Sequence, residues 1–198
     1  MWCILEDLGS DPVLLSGVGW RELGMAVCRC SYGQGSFRGD LIGRNPTDRG
    51  KPGTKRSILV EESGGPLSVV VAGANVHDTK LLNATLKAVV VQRPKPTVES
   101  PQRLCLDKGY DNPTGHHSVA DHEYISHIRR IGEEKLDGLG NKTYPARRWV
   151  VERTLAWLSK CRAIGTRYDK KSRNYLALIQ LACALIWYRR LWRLTVLR

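Results

Sequence analysis

Phenylalanine is nearly missing from this sequence, Phe37 standing alone. No aromatic-rich motif offers successive stacking surfaces, which disfavours a structural RNA-binding protein. Long apolar runs are also lacking. The most apolar stretch, YLALIQLACALIWY from Tyr175 to Tyr188, is too short for a bilayer and contains Gln180. It is expected as a core helix, and no membrane partner is expected. The opening MWCILEDLGSD has no basic start, apolar segment and small-residue cleavage site, so no signal peptide is read and an interior compartment follows. The cysteines Cys3, Cys28, Cys30, Cys105, Cys161 and Cys183 form no CxxC pair and have no His-rich partner at zinc spacing. They read as reduced thiols, mostly in the core.

Acidic residues are scarce as well, with 19 Asp+Glu against 31 Lys+Arg and a formal charge of +12. A field of that sign attracts polyanions, which makes nucleic acid the leading partner and acidic protein or membrane surfaces the alternative. Hydrophobic residues at 42% and charged residues at 25% argue against disorder or a fibrous repeat. The 198 residues fit one α/β domain with at most a short appendage.

From Met1 to about Tyr32 neither helical nor strand periodicity is sustained, and glycines interrupt repeatedly. RGDLIGRNPTDRGKPGTKR then reads as an exposed basic loop, either a solvated connection or a DNA contact. Two β-branched runs at 57–62 and 66–73, separated by Ser63, Gly64 and Gly65, predict a hairpin. Leu81, Leu82, Leu86 and Val89 or Val90 predict a helix that Asp78 caps, ending before a link with Pro94, Pro96 and Pro101. RLCLD predicts a short buried strand that stops at Asp107 and turns on Gly109. A short helix near 118–123, a strand at 124–128 and helices over 145–158 and 172–197 complete an α/β arrangement with a mixed sheet.

Asp107, ending a strand, would project from the carboxyl edge of the sheet, a metal-ligand or base position; a turn or cap role is the alternative. Glu152 lies on a helix with Arg148 one turn earlier, and a surface ion pair between them is its alternative. His77 and Asp78 read as a helix cap and strand-end packing.

The ordered set KRSILVEESGGPLSVVVAGANVHDTKLL, LCLDKGYDNPTG, YPARRWVVERTLAWLSKCR, RYDKK and NYLALIQLACALIWYRR resembles the catalytic half of bacterial DDE-type transposases of the insertion-sequence-five family. The likeness covers about Gly39 to Arg190. It implies a ribonuclease H-like α/β fold, a mixed sheet flanked by helices, with residues 1–38 as an irregular or out-of-frame segment and 39–198 as the catalytic domain. It implies two Asp and one Glu binding two Mg²⁺ (or Mn²⁺), element-end and target DNA as partners, a homodimer, and a place in the bacterial cytoplasm at the nucleoid. By motif, Asp107 matches the second Asp and Glu152 the Glu, with Tyr144 and Arg147 or Arg148 in the same signature. Two metal ions would activate a water or DNA 3′-hydroxyl and steady the leaving oxygen. The signature's Lys falls on Ser159, with Lys160 one place later. Arg49, Lys51, Lys55, Arg56, Lys108, Arg147, Arg148 and Lys160 are the expected DNA contacts.

The family's first Asp should lie eleven residues before Asp40, where this chain has Arg29. Asp40 and Asp48, in the basic loop, could replace it only if that loop folds back. Shifting the frame of GMAVCRC by one base reads Trp across Met25 and Ala26 and permits Asp across Arg29 and Cys30. Residues before about Cys30 are therefore expected to be out of frame, as a downstream frame read alone or a decayed copy. Two readings stand: a Mg²⁺-dependent transposase, and a non-catalytic DNA-binding remnant or regulator.

Overall fold

Strands that alternate their side chains between two covered faces need apolar residues on both, and the middle of this sheet has them. The computed structural model describes residues 25–35, 39–128 and 148–196. Its strands are β1 (Met25–Gly35), β2 (Gly43–Arg44), β3 (Pro52–Glu61), β4 (Pro66–Gly73), β5 (Arg103–Leu106), β6 (Ile125–Ile128) and β7 (Thr166–Arg167). The helices are α1 (Asp78–Lys87), α2 (Pro113–Asp121), α3 (Arg148–Lys160), the short α4 (Arg162–Gly165) and α5 (Ser172–Val196). β4, β3 and β1 are antiparallel neighbours, while β5 and β6 continue from β1 in parallel. β2 extends the far edge of β3, and β7 pairs with the end of β1. This is the mixed sheet with flanking helices of the ribonuclease H-like class.

Alternation assigns the two faces. Val27, Ile58, Val60, Val71 and Cys105 pack with Val150, Val151, Leu155 and Leu158 of α3 and with Tyr175 and Ile179 of α5. Ala26, Cys28, Leu59, Leu104 and Leu106 point the other way, toward Leu82 and Leu86 of α1 and Val119 of α2.

The predicted hairpin is present, and its turn explains its glycines. Gly64 has φ +94°, a left-handed conformation that glycine adopts without strain, and Gly65 lies close under the Trp187 ring.

Several expectations need correction. The stretch expected to be irregular contains the central strand β1, whose Ala26, Val27 and Cys28 are buried between two neighbours. The basic loop ends earlier than expected, because pairing with β1 and β4 draws Lys55 and Arg56 into β3. His77, not Asp78, is the N-cap of α1. α2 starts at Pro113, with the Asn112 side chain accepting from Gly115 N. Helix α5 buries only one stripe and leaves Leu181, Leu185, Tyr188 and Trp192 exposed. Cys161 is exposed rather than in the core. Cys3, Tyr144, Arg147 and the start of the helix expected over 145–158 lie outside the described residues.

Candidate active site

The site begins with strand register. β1 and β5 run parallel with Val27 level with Cys105, both facing α3. Two residues further along each chain, and therefore on the same face, stand Arg29 and Asp107. β5 stops at Leu106, and Asp107 is the N-cap of a single 3₁₀ turn over Lys108–Tyr110, its Oδ1 accepting from Lys108 N at 2.8 Å. That places Asp107 at the carboxyl edge of the sheet, as expected from the sequence, and in the cap role given there as its alternative.

Helix α3 supplies the opposite wall. It buries Val150, Val151, Thr154, Leu155 and Leu158, which leaves Arg148 and Glu152 one turn apart beside the buried stripe. Arg148 spans the two carboxylates, with Nη1 3.2 Å from Asp107 Oδ1 and Nη2 3.5 Å from Glu152 Oε1. Arg29 Nη1 donates to that same Glu152 oxygen. Asp107 and Glu152 stand far apart in sequence and meet only through the fold; the Arg148–Asp107 contact joins residues 41 positions apart. Both carboxylates remain accessible, their side chains being 37% and 46% exposed.

Neither loop aspartate joins them. The Asp40 carboxylate accepts from Ser172 N at 2.7 Å and from Ser172 Oγ at 2.6 Å, capping α5, and pairs with Arg167 at 3.2 Å. The Ser172 hydroxyl foremost, with the Ser172 N–H and the Arg167 charge, outweighs desolvation and holds this carboxyl below its ordinary range. Asp48 pairs with Lys51 at 3.3 Å.

The expected DNA contacts divide by burial. Arg49, Lys51, Lys108, Arg148 and Lys160 are exposed. Lys55 and Arg56 are each 3% exposed, which corrects their assignment as DNA contacts. Lys55 Nζ donates to Val76 O at 2.5 Å and Asp78 Oδ1 at 2.6 Å. Arg56 donates to the Tyr32 and Ile164 carbonyls, each at 3.2 Å, and to Ser159 Oγ at 3.4 Å.

Sequence reasoning located Arg29 but not its pairing with Glu152; continuing the period-two alternation from Val27 would have turned it toward α3. It also passed over Trp149, Arg153 and Trp157. Their 3.6-residue periodicity puts the Arg153 guanidinium over both indoles, at 4.9 and 5.0 Å.

The side chains at this edge bear directly on the divalent metal that the resemblance implies. Among the described residues, no three His, Cys, Asp or Glu side chains converge as a ligand set. The two carboxylates that do converge already hold two guanidinium cations. A metal would have to displace or approach like charge, so the residues present do not fit it.

The acidic pair thus joins the carboxyl edge of a ribonuclease H-like sheet to the helix that covers it. The family description "Transposase DDE domain" matches residues 28–187, and the chain belongs to that family. It is 33% identical over 153 residues to a Burkholderia cepacia protein named as a transposase for insertion sequence element IS402, covering 76% of this chain and 70% of the relative. Among solved structures, a piggyBac transposase synaptic complex with hairpin DNA matches at 12% identity and TM-score 0.38, over 62% of this chain and 27% of its own. The Mos1 mariner paired end complex with Mn matches at 12% identity and TM-score 0.36, over 87% of this chain and 57% of its own.

Proposed function

We propose that this chain is a DNA-binding transposase domain that does not cut DNA in this form. The observation that carries the reading is the Arg29–Glu152 ion pair at the position where the resemblance calls for the first aspartate. A guanidinium is a permanent cation and offers no lone pair to a metal, so two carboxylates are left for a task that the family gives to three. Family membership, the charge of +12 and the exposed Arg49, Lys51, Lys108, Arg148 and Lys160 support DNA as the partner. Element-end and target DNA, a homodimer and residence at the nucleoid belong to the same reading. So does an out-of-frame origin for residues before about Cys30, which a coding sequence whose one-base-shifted frame lacks Trp followed by Asp removes; the domain boundary expected near Gly39 moves back to include β1, the central strand of the sheet.

The test is incubation with labelled element-end DNA and Mg²⁺ or Mn²⁺. Expected is retention of the DNA without strand cleavage, cleavage gained by Arg29→Asp, and its loss again in Arg29→Asp/Asp107→Ala. Metal-dependent cutting by the unaltered chain that Asp107→Ala abolishes would return it to the catalytic class. Cutting that survives Asp107→Ala would remove the site assignment altogether.

A further inference from the structure

The misfit between the acidic pair and a metal has a positive counterpart. Two carboxylates and two guanidiniums meet at this edge, and Lys108, next in sequence to Asp107, is exposed. The cluster is thus neutral to positive without any added ion. Arginine's planar fork carries five N–H donors, and Glu152 engages Arg29 through Nη1. The Arg29 side chain is 29% exposed and that of Arg148 48%, so both forks reach solvent while held by carboxylates. A guanidinium braced in this way is pre-organised to receive a second oxyanion, and phosphate oxygens match its geometry.

We propose that Arg29, braced on Glu152, and Arg148, which spans Asp107 and Glu152, take the place of a divalent ion at the two carboxylates and make a metal-independent binding site for a DNA phosphodiester. The inference rests on the DNA-binding reading, deepening it from a partner to a particular contact. Its physical content is that cation and carboxylate compete for one location: with Arg29 present the site is blind to divalent metal, and with an acid there it would become dependent on it.

Two measurements on the full chain test this. The first is Mn²⁺ binding without DNA, by electron paramagnetic resonance. Expected is no saturable Mn²⁺ site involving Asp107 in the unaltered chain, and a saturable site in Arg29→Asp that Asp107→Ala removes. Saturable binding through Asp107 while Arg29 is in place would overturn the proposal. The second is DNA affinity in EDTA against Mg²⁺ at matched ionic strength. Equal affinities are expected, with Arg29→Ala weakening binding about tenfold in EDTA, the size of one charge-assisted hydrogen bond. Arg29→Lys, which keeps the charge but not the fork, should fall between. Unchanged affinity in Arg29→Ala, or binding by the unaltered chain that requires Mg²⁺, would overturn it. Failure to bind DNA at all would instead remove the functional reading, and the Mn²⁺ measurement would still decide whether Arg29 excludes metal.

Discussion

Lys55 shows how a charged residue can serve the fold. Burial alone would push its ammonium down, yet the hydrogen bond and charge of Asp78, with the Tyr32 ring 4.9 Å away, hold it above the usual lysine value. Because the folded value is raised, this contribution is complete below about 10.4, the value in the unfolded chain, and is lost as pH rises through the folded value. Asp78→Asn should cost about 2 kcal/mol at neutral pH, less than the roughly 3–5 of a fully enclosed pair because the Asp78 side chain is 37% exposed. Urea melts from pH 7 to 11 check both effects; an alkaline slope unchanged in Asp78→Asn would count against the pairing. Composition could not tell Lys55 and Arg56 from Arg49 and Lys51, since all four stand among loop-forming Gly, Pro and Asn. Their different fates are set by non-local pairing, which places Tyr32 opposite Lys55 and Ser31 opposite Arg56. Asp107 was more legible, because a strand-ending Asp is marked by the apolar residues before it and the turn after it. Glu152 was legible with Arg148 because helical spacing is local.

Among the elements, the turn of the β3–β4 hairpin gathers around one carboxylate. Glu61 accepts from Gly65 N at 2.6 Å and from Ser63 N at 2.7 Å, and it receives Arg190 of α5 at 2.6 Å. Burial would push this carboxyl up, but the Ser63 hydroxyl, the Arg190 guanidinium and the two backbone N–H groups together hold it below the usual range. A lowered folded value contributes stability that is complete above the unfolded value of about 4.3 and is lost as pH falls through the folded one. Glu61→Gln should therefore cost about 2–3 kcal/mol at pH 7, as for hydrogen bonds to a charged group, and should flatten the acid limb of stability between pH 2 and 5. Chemical denaturation across that range measures it, and equal acid limbs in both proteins would sink the assignment. The hairpin was readable because turn glycines separate two β-branched runs. β1 was not, because MAVCRCSYGQG mixes small, polar and thiol residues without clear alternation. Its strand conformation comes from the partners β3 and β5, contributed by distant parts of the chain. Since β1 carries Arg29, the hidden element also hid the pairing that defines the site.

For the whole molecule, the charge of +12 makes long-range attraction to a polyanion expected, but net charge alone does not identify the cations that touch it. Contact and burial make separable predictions. Each phosphate neutralised releases condensed counterions, so the plot of log affinity against log salt should lose a slope of about 0.9 for every contacting cation removed from duplex DNA. Arg49→Ala, Lys51→Ala and Lys160→Ala, at exposed positions, should each reduce the slope by up to that amount with little change in melting temperature. Lys55→Met and Arg56→Met should do the reverse, leaving the slope near that of the unaltered chain while lowering the melting temperature, since the Lys55 ammonium and the two terminal nitrogens of Arg56 donate inside the fold. Fluorescence anisotropy on duplex DNA over a series of salt concentrations, paired with thermal melts, distinguishes the two groups. Slopes that fell equally for buried and exposed substitutions would mean that affinity follows total charge rather than a defined contact surface, and the assignment of individual DNA contacts would fail with it.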